Sequence, residues 1–142
     1  MEEIKIALLA SVPLEHLRAS VDVVKHQKMV AFGSDAWETL AQLDALLKGN
    51  PTDAFIYASM GIGIGNVVSW HAKYLRRRDA VNQMHPGGMR YRPPTTENEK
   101  WTSYWEVSEL RELPKSDWIP LNHFSGYGKR YGSGKRLSLM AH

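Results

Sequence analysis

The fold class is decided by residues 54–113, which read AFIYASMGIGIGNVVSWHAKYLRRRDA at 54–80, HPGGMRYRPPTT at 85–96 and WTSYWEVSELREL at 101–113. In the first and last of these stretches, apolar and polar residues alternate with the period of two that is typical of β-strands. Runs of glycine and proline interrupt the alternation. This order of strand, glycine turn, strand, long loop and aromatic strand predicts a small β-barrel.

The N-terminal third of the chain carries a helical pattern instead. Apolar residues recur at the spacing of one helix face in residues 14–24 and again in residues 36–47. Asp35 and Glu38 have the spacing of a capping box at the start of the second helix. The sequence therefore predicts about two helices beside the barrel.

Short apolar stretches predict one strand before the first helix, at residues 4–10, and another between the two helices, at residues 28–32. We expect an α+β protein with a small, partly open β-barrel and about two peripheral helices. The chain is long enough for one domain over residues 1–142. Residues 1–50 form its helix-containing N-terminal part, and residues 51–142 contribute the barrel strands and basic loops.

The composition favours a folded, cytoplasmic protein that does not contact membranes. Hydrophobic residues make up 43% of the chain, and no apolar run approaches the roughly 20 residues that span a bilayer. The start MEEIKIALLASVP has acidic residues where a secretory signal carries positive charge. The absence of cysteine excludes disulfides, thiol catalysis and cysteine-ligated zinc.

Charge is distributed unevenly along the chain. Residues 1–70 carry 5 basic and 8 acidic residues, a balance of −3, whereas residues 71–142 carry 13 basic and 7 acidic residues, a balance of +6. The excess of positive charge lies in the half with the long loop and most of the aromatic residues. This favours an anionic partner, although an ordinary basic surface gives the same pattern.

Two glycine-rich motifs do not predict a nucleotide cofactor. GIGIG at residues 61–65 precedes a strand pattern, whereas the dinucleotide-binding fingerprint requires a helix there. GYGKR at 126–130 and GSGKR at 132–136 lack the spacing of a phosphate-binding P-loop. The histidines have no metal-ligand spacing such as HExxH, so the sequence predicts neither a metal nor a cofactor.

Basic residues are concentrated in three places that phosphates could contact. Arg76 and Arg78 point to the same side of a strand, with Arg77 opposite, and Arg90 and Arg92 flank Tyr91 in the loop. A charged strand end that discourages edge pairing is the alternative reading of the first group. The predicted phosphate-binding residues are Arg76, Arg78, Arg90, Arg92, Lys129, Arg130, Lys135 and Arg136. The last four are equally consistent with a solvated hairpin tip.

Four aromatic residues are candidates for base stacking: Trp70, Tyr91, Trp101 and Trp105. For any single aromatic residue of a small barrel, a place in the core is the alternative.

The order of elements resembles the PUA-like superfamily, especially its EVE and ASCH branches. The matching pieces are DAFIYAS, the glycine turn, NVVSWHAKY, WTSYWEV and ELRELPKSDWIPL. The resemblance covers about two-thirds of the chain. It implies a compact, partly open barrel with peripheral helices, and RNA or modified-base binding in a cleft between the barrel and the helices.

The leading hypothesis is a non-catalytic module that binds nucleic acid, with RNA favoured over single-stranded or modified-base DNA. The alternative is a small amidohydrolase-type enzyme acting on a nucleoside or amide, with Glu106, His71 or Lys73 as acid–base groups. Thr95 and Thr96 are loop candidates for the same chemistry. A third class is a protein-interaction domain that uses exposed aromatic residues.

Overall fold

The computed structural model describes residues 6–59, 67–126 and 136–141. In these residues the helices are α1 (Leu14–Gln27) and α2 (Trp37–Leu47). The strands are β1 (Ile6–Pro13), β2 (Val30–Ser34), β3 (Thr52–Ser59), β4 (Val67–Val68), β5 (Trp70–Asp79), β6 (Ser103–Glu112), β7 (Ile119–Pro120), β8 (Phe124–Gly126) and β9 (Arg136–Ala141). Four short 3-10 helices lie in the loops, at Gly88–Tyr91, Pro94–Thr96, Lys115–Asp117 and Leu121–His123.

Seven strands form one sheet in the order β2-β6-β5-β3-β1-β9-β8, and β4 pairs with β7. Strand β1 runs parallel to its neighbours β3 and β9. The pairs β2–β6, β6–β5 and β5–β3 are antiparallel. The sheet is curled like part of a barrel and carries two helices. The predicted α+β class, a partly open barrel with two helices, is confirmed.

The helices cover one face of the sheet. Leu17 of α1 and Leu40 and Leu43 of α2 are fully buried in one core with strand residues such as Trp105 and Val107. A second, smaller apolar cluster lies apart from the helices and is built from Ala7, Leu9, Phe55, Val68 and Leu113. None of the described helices has the length and apolar character needed to cross a membrane.

The second helix begins differently from the prediction. Its cap residue is Ala36, with no capping hydrogen bond from a side chain. The carboxylate of Asp35 instead accepts hydrogen bonds from the backbone N–H and the hydroxyl of Thr102, both at 3.1 Å. Asp35 thus fixes the end of the loop that precedes β6 rather than the start of α2.

An irregularity in β5 determines which way its arginines face. Tyr74 pairs with Val107 on the helix-covered face, but the next pair in register is Arg76 with Glu106, so one extra residue is inserted between them. Strict alternation from Tyr74 would direct Arg76 and Arg78 into the apolar core. The bulge turns both arginines to the other face, where Glu106 lies.

The long connection between β5 and β6, residues 80–102, is folded back onto α1. Both of its 3-10 helices contact α1. His16 of α1 anchors it, because its Nδ1 lies 2.6 Å from the Thr95 hydroxyl and its Nε2 lies 2.9 Å from a carboxylate oxygen of Glu99. The connection therefore forms one wall of the space between the sheet and the end of α1.

Candidate functional site

A cleft of about 380 Å³ lies where β5, β6 and the loop 80–102 meet the end of α1 and the short link to β2. It is lined by Gln27, Met29, Arg76, Arg78, His85, Pro86, Gly87, Tyr91 and Glu106. A volume of this size is typical of small-molecule sites and is sufficient for one nucleotide. The lining combines positive charge with one aromatic ring.

Glu106 is the buried centre of this cleft wall. Its side chain is fully buried in the middle of β6, between Arg76 of β5 and Ala31 of β2 in register. Arg76 Nε donates to Oε1 at 2.8 Å, and His85 Nε2 lies 2.8 Å from Oε2. Arg78 Nη1 lies 3.7 Å from the same Oε2 atom. One carboxylate therefore hydrogen-bonds Arg76 and His85 and lies close to a third group, the guanidinium of Arg78.

The environment of Glu106 keeps its carboxylate ionised. Burial by itself raises the pKa, because it disfavours the charged form. The hydrogen bonds from His85 and Arg76, together with the charge of Arg76, outweigh this effect and lower the pKa below its ordinary value. At neutral pH the cleft wall thus contains a buried negative charge with two arginines next to it.

The hydrogen bonds of His85 define its tautomer. The backbone N–H of Gly87 donates to His85 Nδ1 at 2.9 Å, so Nδ1 is the acceptor. In the neutral ring the hydrogen then lies on Nε2, which donates to Glu106. His85 is itself buried, and its ring contacts Tyr104 edge-on at 5.5 Å between centroids. It connects the loop to the sheet.

Arg76 and Arg78 present their free ends to the cleft. Their side chains are 59% and 40% exposed, although both are next to a fully buried carboxylate. The Nε–H of Arg76 is already used, because it donates a hydrogen bond to Glu106. Among the residues that the structure describes, no hydrogen-bond partner holds the Nη atoms of Arg76 or any donor of Arg78 at hydrogen-bond distance. These donors are available to an anion.

Tyr91, from the loop, lines the same cleft as the arginines. Its ring packs against Gly87 so closely that a Cβ at that position would lie 2.7 Å from Tyr91 Cδ2. The guanidinium of Arg90 lies 5.2 Å from the ring centroid, and its Nε donates to Gln27 Oε1 at 2.8 Å. Of the predicted residues, Arg76, Arg78 and Tyr91 line one cleft, and Arg90 lies beside it on the ring.

Arg92 was predicted to bind phosphate, and the structure corrects this. Its side chain is among the largest fully buried ones, and the residue is 1% exposed. Its Nη2 donates to the carbonyl oxygens of Thr96 at 2.6 Å and Glu99 at 2.9 Å. Its guanidinium also lies 5.2 Å from the Tyr104 ring centroid. Arg92 holds the loop together and is not accessible to a ligand.

Two predicted stacking residues are also core residues. Trp70 and Trp105 are each 2% exposed and belong to the helix-covered core, where Trp105 packs on Phe32 at 4.9 Å between ring centroids. A buried ring offers no face for a base, so neither is a stacking residue. Alternation places both on the apolar face, and this was the alternative reading of the sequence.

Trp101 does not line the cleft. It lies at the end of the loop and packs against Gly33 of the edge strand β2. A Cβ at Gly33 would lie 1.9 Å from Trp101 Cδ1, so the indole occupies the space that only glycine leaves. Its Nε1 donates to Glu99 at 3.3 Å. Trp101 is partly exposed but serves to pack the loop against β2.

The predicted loop cations Lys129, Arg130 and Lys135 lie outside the described residues. Arg136 begins β9, of which the backbone is described.

The residues of the hydrolase alternative are separated. His71 Nε2 bonds to Asp53 at 2.8 Å, and Lys73 is exposed; neither lines the cleft that contains Glu106. The sequence did not reveal the partner of Glu106, His85, which lies 21 positions away in a proline- and glycine-rich turn. The only available signal was that turn, HPGG, which brings an imidazole back to the sheet.

The chain matches no family model, no curated protein and no solved structure. Within the described part of the chain, no group of histidine and acidic side chains is arranged to hold a metal ion. The geometry of the cleft is therefore the basis for a functional proposal.

Proposed function

We propose that this protein binds single-stranded nucleic acid, with RNA favoured, and that the cleft holds one nucleotide of the strand. Arg76 and Arg78 bind the phosphate, and Tyr91 with Arg90 contacts the base. Binding is the whole activity in this proposal, and no catalytic residue is assigned. The PUA-like relationship and a cytoplasmic location belong to the same proposal.

The observation that carries the proposal is the pair of exposed arginines beside one fully buried carboxylate, which holds Arg76 by a hydrogen bond and lies 3.7 Å from Arg78. An arginine on a mobile side chain loses conformational entropy when it binds a ligand. Here Glu106 has already oriented Arg76 by a hydrogen bond of 2.8 Å, so less entropy is lost. Such preorganised guanidinium groups match the paired oxygens of phosphate.

The aromatic side of the cleft supports a nucleotide over a simple inorganic anion. Tyr91 lines the same cleft as the arginines and is partly exposed. Stacking of a base on an aromatic ring contributes about 1–3 kcal/mol. The Arg90 guanidinium over the Tyr91 ring adds a flat cationic surface, which also stacks on bases.

The hydrolase alternative receives less support from the geometry. Glu106 is fully buried, and both of its oxygens accept hydrogen bonds, one from Arg76 and one from His85. A general base must reach the proton that it abstracts. The carboxylate is thus arranged to hold its neighbours, and the hydrolase alternative stays a prediction.

Fluorescence anisotropy of labelled single-stranded RNA and DNA of about ten nucleotides tests the proposal. Affinity is expected to fall between about 50 and 200 mM salt, because phosphate contacts release counterions. A double-stranded DNA of the same sequence is the control and is expected to bind more weakly, since its bases cannot enter the cleft. The absence of binding to any strand at low salt would refute the proposal.

A further inference from the structure

The number of free donors in the cleft indicates what kind of phosphate it suits. Arg76 offers both Nη atoms, and Arg78 offers its whole guanidinium, since its closest approach to Glu106 is 3.7 Å. A terminal phosphate has three oxygens that accept hydrogen bonds, and an internal phosphodiester has two that are not bonded to carbon. Two free guanidinium groups on one wall can pair with all three oxygens of a terminal phosphate, one more than a diester offers.

The charge of the cleft leads to the same result. Arg76 and Arg78 carry two positive charges against the one negative charge of Glu106, which leaves the wall with one net positive charge. Arg90, beside Tyr91, adds a second. His85, in its Nε2–H tautomer, and Tyr91 add no charge to the cleft. An internal phosphodiester carries one negative charge, whereas a terminal phosphate carries between about 1.5 and 2 at neutral pH.

We infer that the cleft recognises a terminal phosphate, the phosphate monoester at the end of a nucleic-acid strand or on a free mononucleotide, in preference to an internal phosphodiester. This inference rests on the proposed function and adds to it the class of ligand that the cleft binds. Arg76 and Arg78 each bind a pair of oxygens of the terminal group. The attached nucleoside extends toward Tyr91, and the rest of the strand leaves the cleft.

A set of RNA strands with one sequence and different ends tests this. The strands carry a 5′-phosphate, a 3′-phosphate or hydroxyls at both ends, with the fluorophore in the interior. A fourth strand carries the preferred phosphate as its methyl ester, which keeps the size and removes one charge. We expect one phosphorylated end to bind at least about tenfold more tightly than the hydroxyl-ended strand, and the methyl ester to lose most of this gain.

The outcomes separate this inference from the proposed function. Equal, salt-dependent binding of all four strands would overturn terminal recognition and leave nucleic-acid binding intact. No binding of any strand would overturn both. Competition with a nucleoside monophosphate, phosphorylated at the same position as the preferred strand, distinguishes the two ligands. If the site binds free nucleotides, the monophosphate displaces the labelled strand at a concentration equal to that of the strand. If the site requires a strand end, it does not.

Variants of the chain complete the test. R78Q removes one guanidinium without unpairing Glu106, since Arg76 and His85 still hold that carboxylate. It is expected to reduce the ratio of affinities between phosphorylated and hydroxyl-ended strands. R111Q changes an exposed arginine of β6 that does not line the cleft, and it is the matched control. An unchanged ratio in R78Q would contradict the inference.

Discussion

Glu106 contributes to the protein through the side chains that it holds rather than through contact with solvent. It joins a strand arginine, Arg76, to a loop imidazole, His85, by two hydrogen bonds of 2.8 Å. Hydrogen bonds to a charged group contribute more than neutral ones, about 1.5–3 kcal/mol each. Stability and the shape of the cleft are thus expected to depend on the same carboxylate.

The substitution E106Q is expected to lower the free energy of unfolding by about 2 kcal/mol, because the amide leaves Arg76 without an anionic acceptor. Urea unfolding measures this, and E112Q at the exposed end of β6 is the control, with an expected change within about 0.5 kcal/mol. Equal effects of the two substitutions would show that the buried carboxylate does not hold the cleft wall together.

The pH dependence of stability follows from the lowered pKa of Glu106. A carboxyl group with a folded pKa below its ordinary value of 4.5 stabilises the fold fully above that value. The contribution is lost as the pH falls from 4.5 through the lower folded pKa. The stability difference between the native chain and E106Q is therefore expected to shrink in this acidic range. A difference that grows on acidification would contradict this sign.

A substitution of Arg92 tests whether this buried arginine stabilises the loop or binds a ligand. The substitution R92M removes the hydrogen bonds from the buried guanidinium to the carbonyl oxygens of Thr96 and Glu99. Hydrogen bonds from a charged group contribute about 1.5–3 kcal/mol each, so a loss of about 2–4 kcal/mol in thermal or urea unfolding is expected. R90Q, on the exposed side of Tyr91, is expected to change stability little. Lost nucleic-acid binding with native stability in R92M would restore the original phosphate-binding prediction.

At the scale of elements, the cleft depends on one bulge and one loop. The bulge in β5 sends Arg76 and Arg78 to the face of Glu106, while Tyr74 stays with the core and donates to Asp44 at 2.6 Å. Burial and this hydrogen bond raise the pKa of Tyr74, so the phenol stays protonated. A strand can thus serve the core at one end and the site at the other.

The loop 80–102 is anchored to α1 by His16, which supports the cleft from behind. H16A removes the contacts to Thr95 and Glu99. Hydrogen exchange is expected to accelerate in residues 95–99 while β6 keeps its protection, since the sheet does not depend on that anchor. H26A, on the exposed side of the same helix, is the control. Uniform exchange changes across the sheet in H16A would argue against a separate loop anchor.

The sequence predicts elements well where a period governs them, as in α1, α2 and the strand from Trp70 to Tyr74. It fails where one residue breaks the period. The alternation in β5 gives no sign of the bulge after Tyr74, although the pairing of Arg76 with Arg78 on one side is already clear from the spacing. Distant contacts such as His85 with Glu106 are set by the path of a loop, which has no period.

At the scale of the whole molecule, the acidic and basic halves of the chain come together in one sheet. The N-terminal half supplies β1, β2 and β3 with both helices, and the C-terminal half supplies β5 and β6 between β2 and β3. The order of strands arises from contacts distant in sequence, and periodicity cannot reveal it. The basic excess of residues 71–142 was predictable, and part of it lines the cleft through Arg76 and Arg78.

We thus expect the protein to bind nucleic acid in the cleft rather than over its whole basic surface. The most direct measurement compares single-stranded RNA binding by the native chain, R78Q and R111Q in fluorescence anisotropy at low salt. We expect R78Q to weaken binding about tenfold and to reduce the salt slope by about one, and R111Q to change the affinity less than about twofold. Equal weakening by both variants would show diffuse electrostatic attraction and contradict a binding site in the cleft.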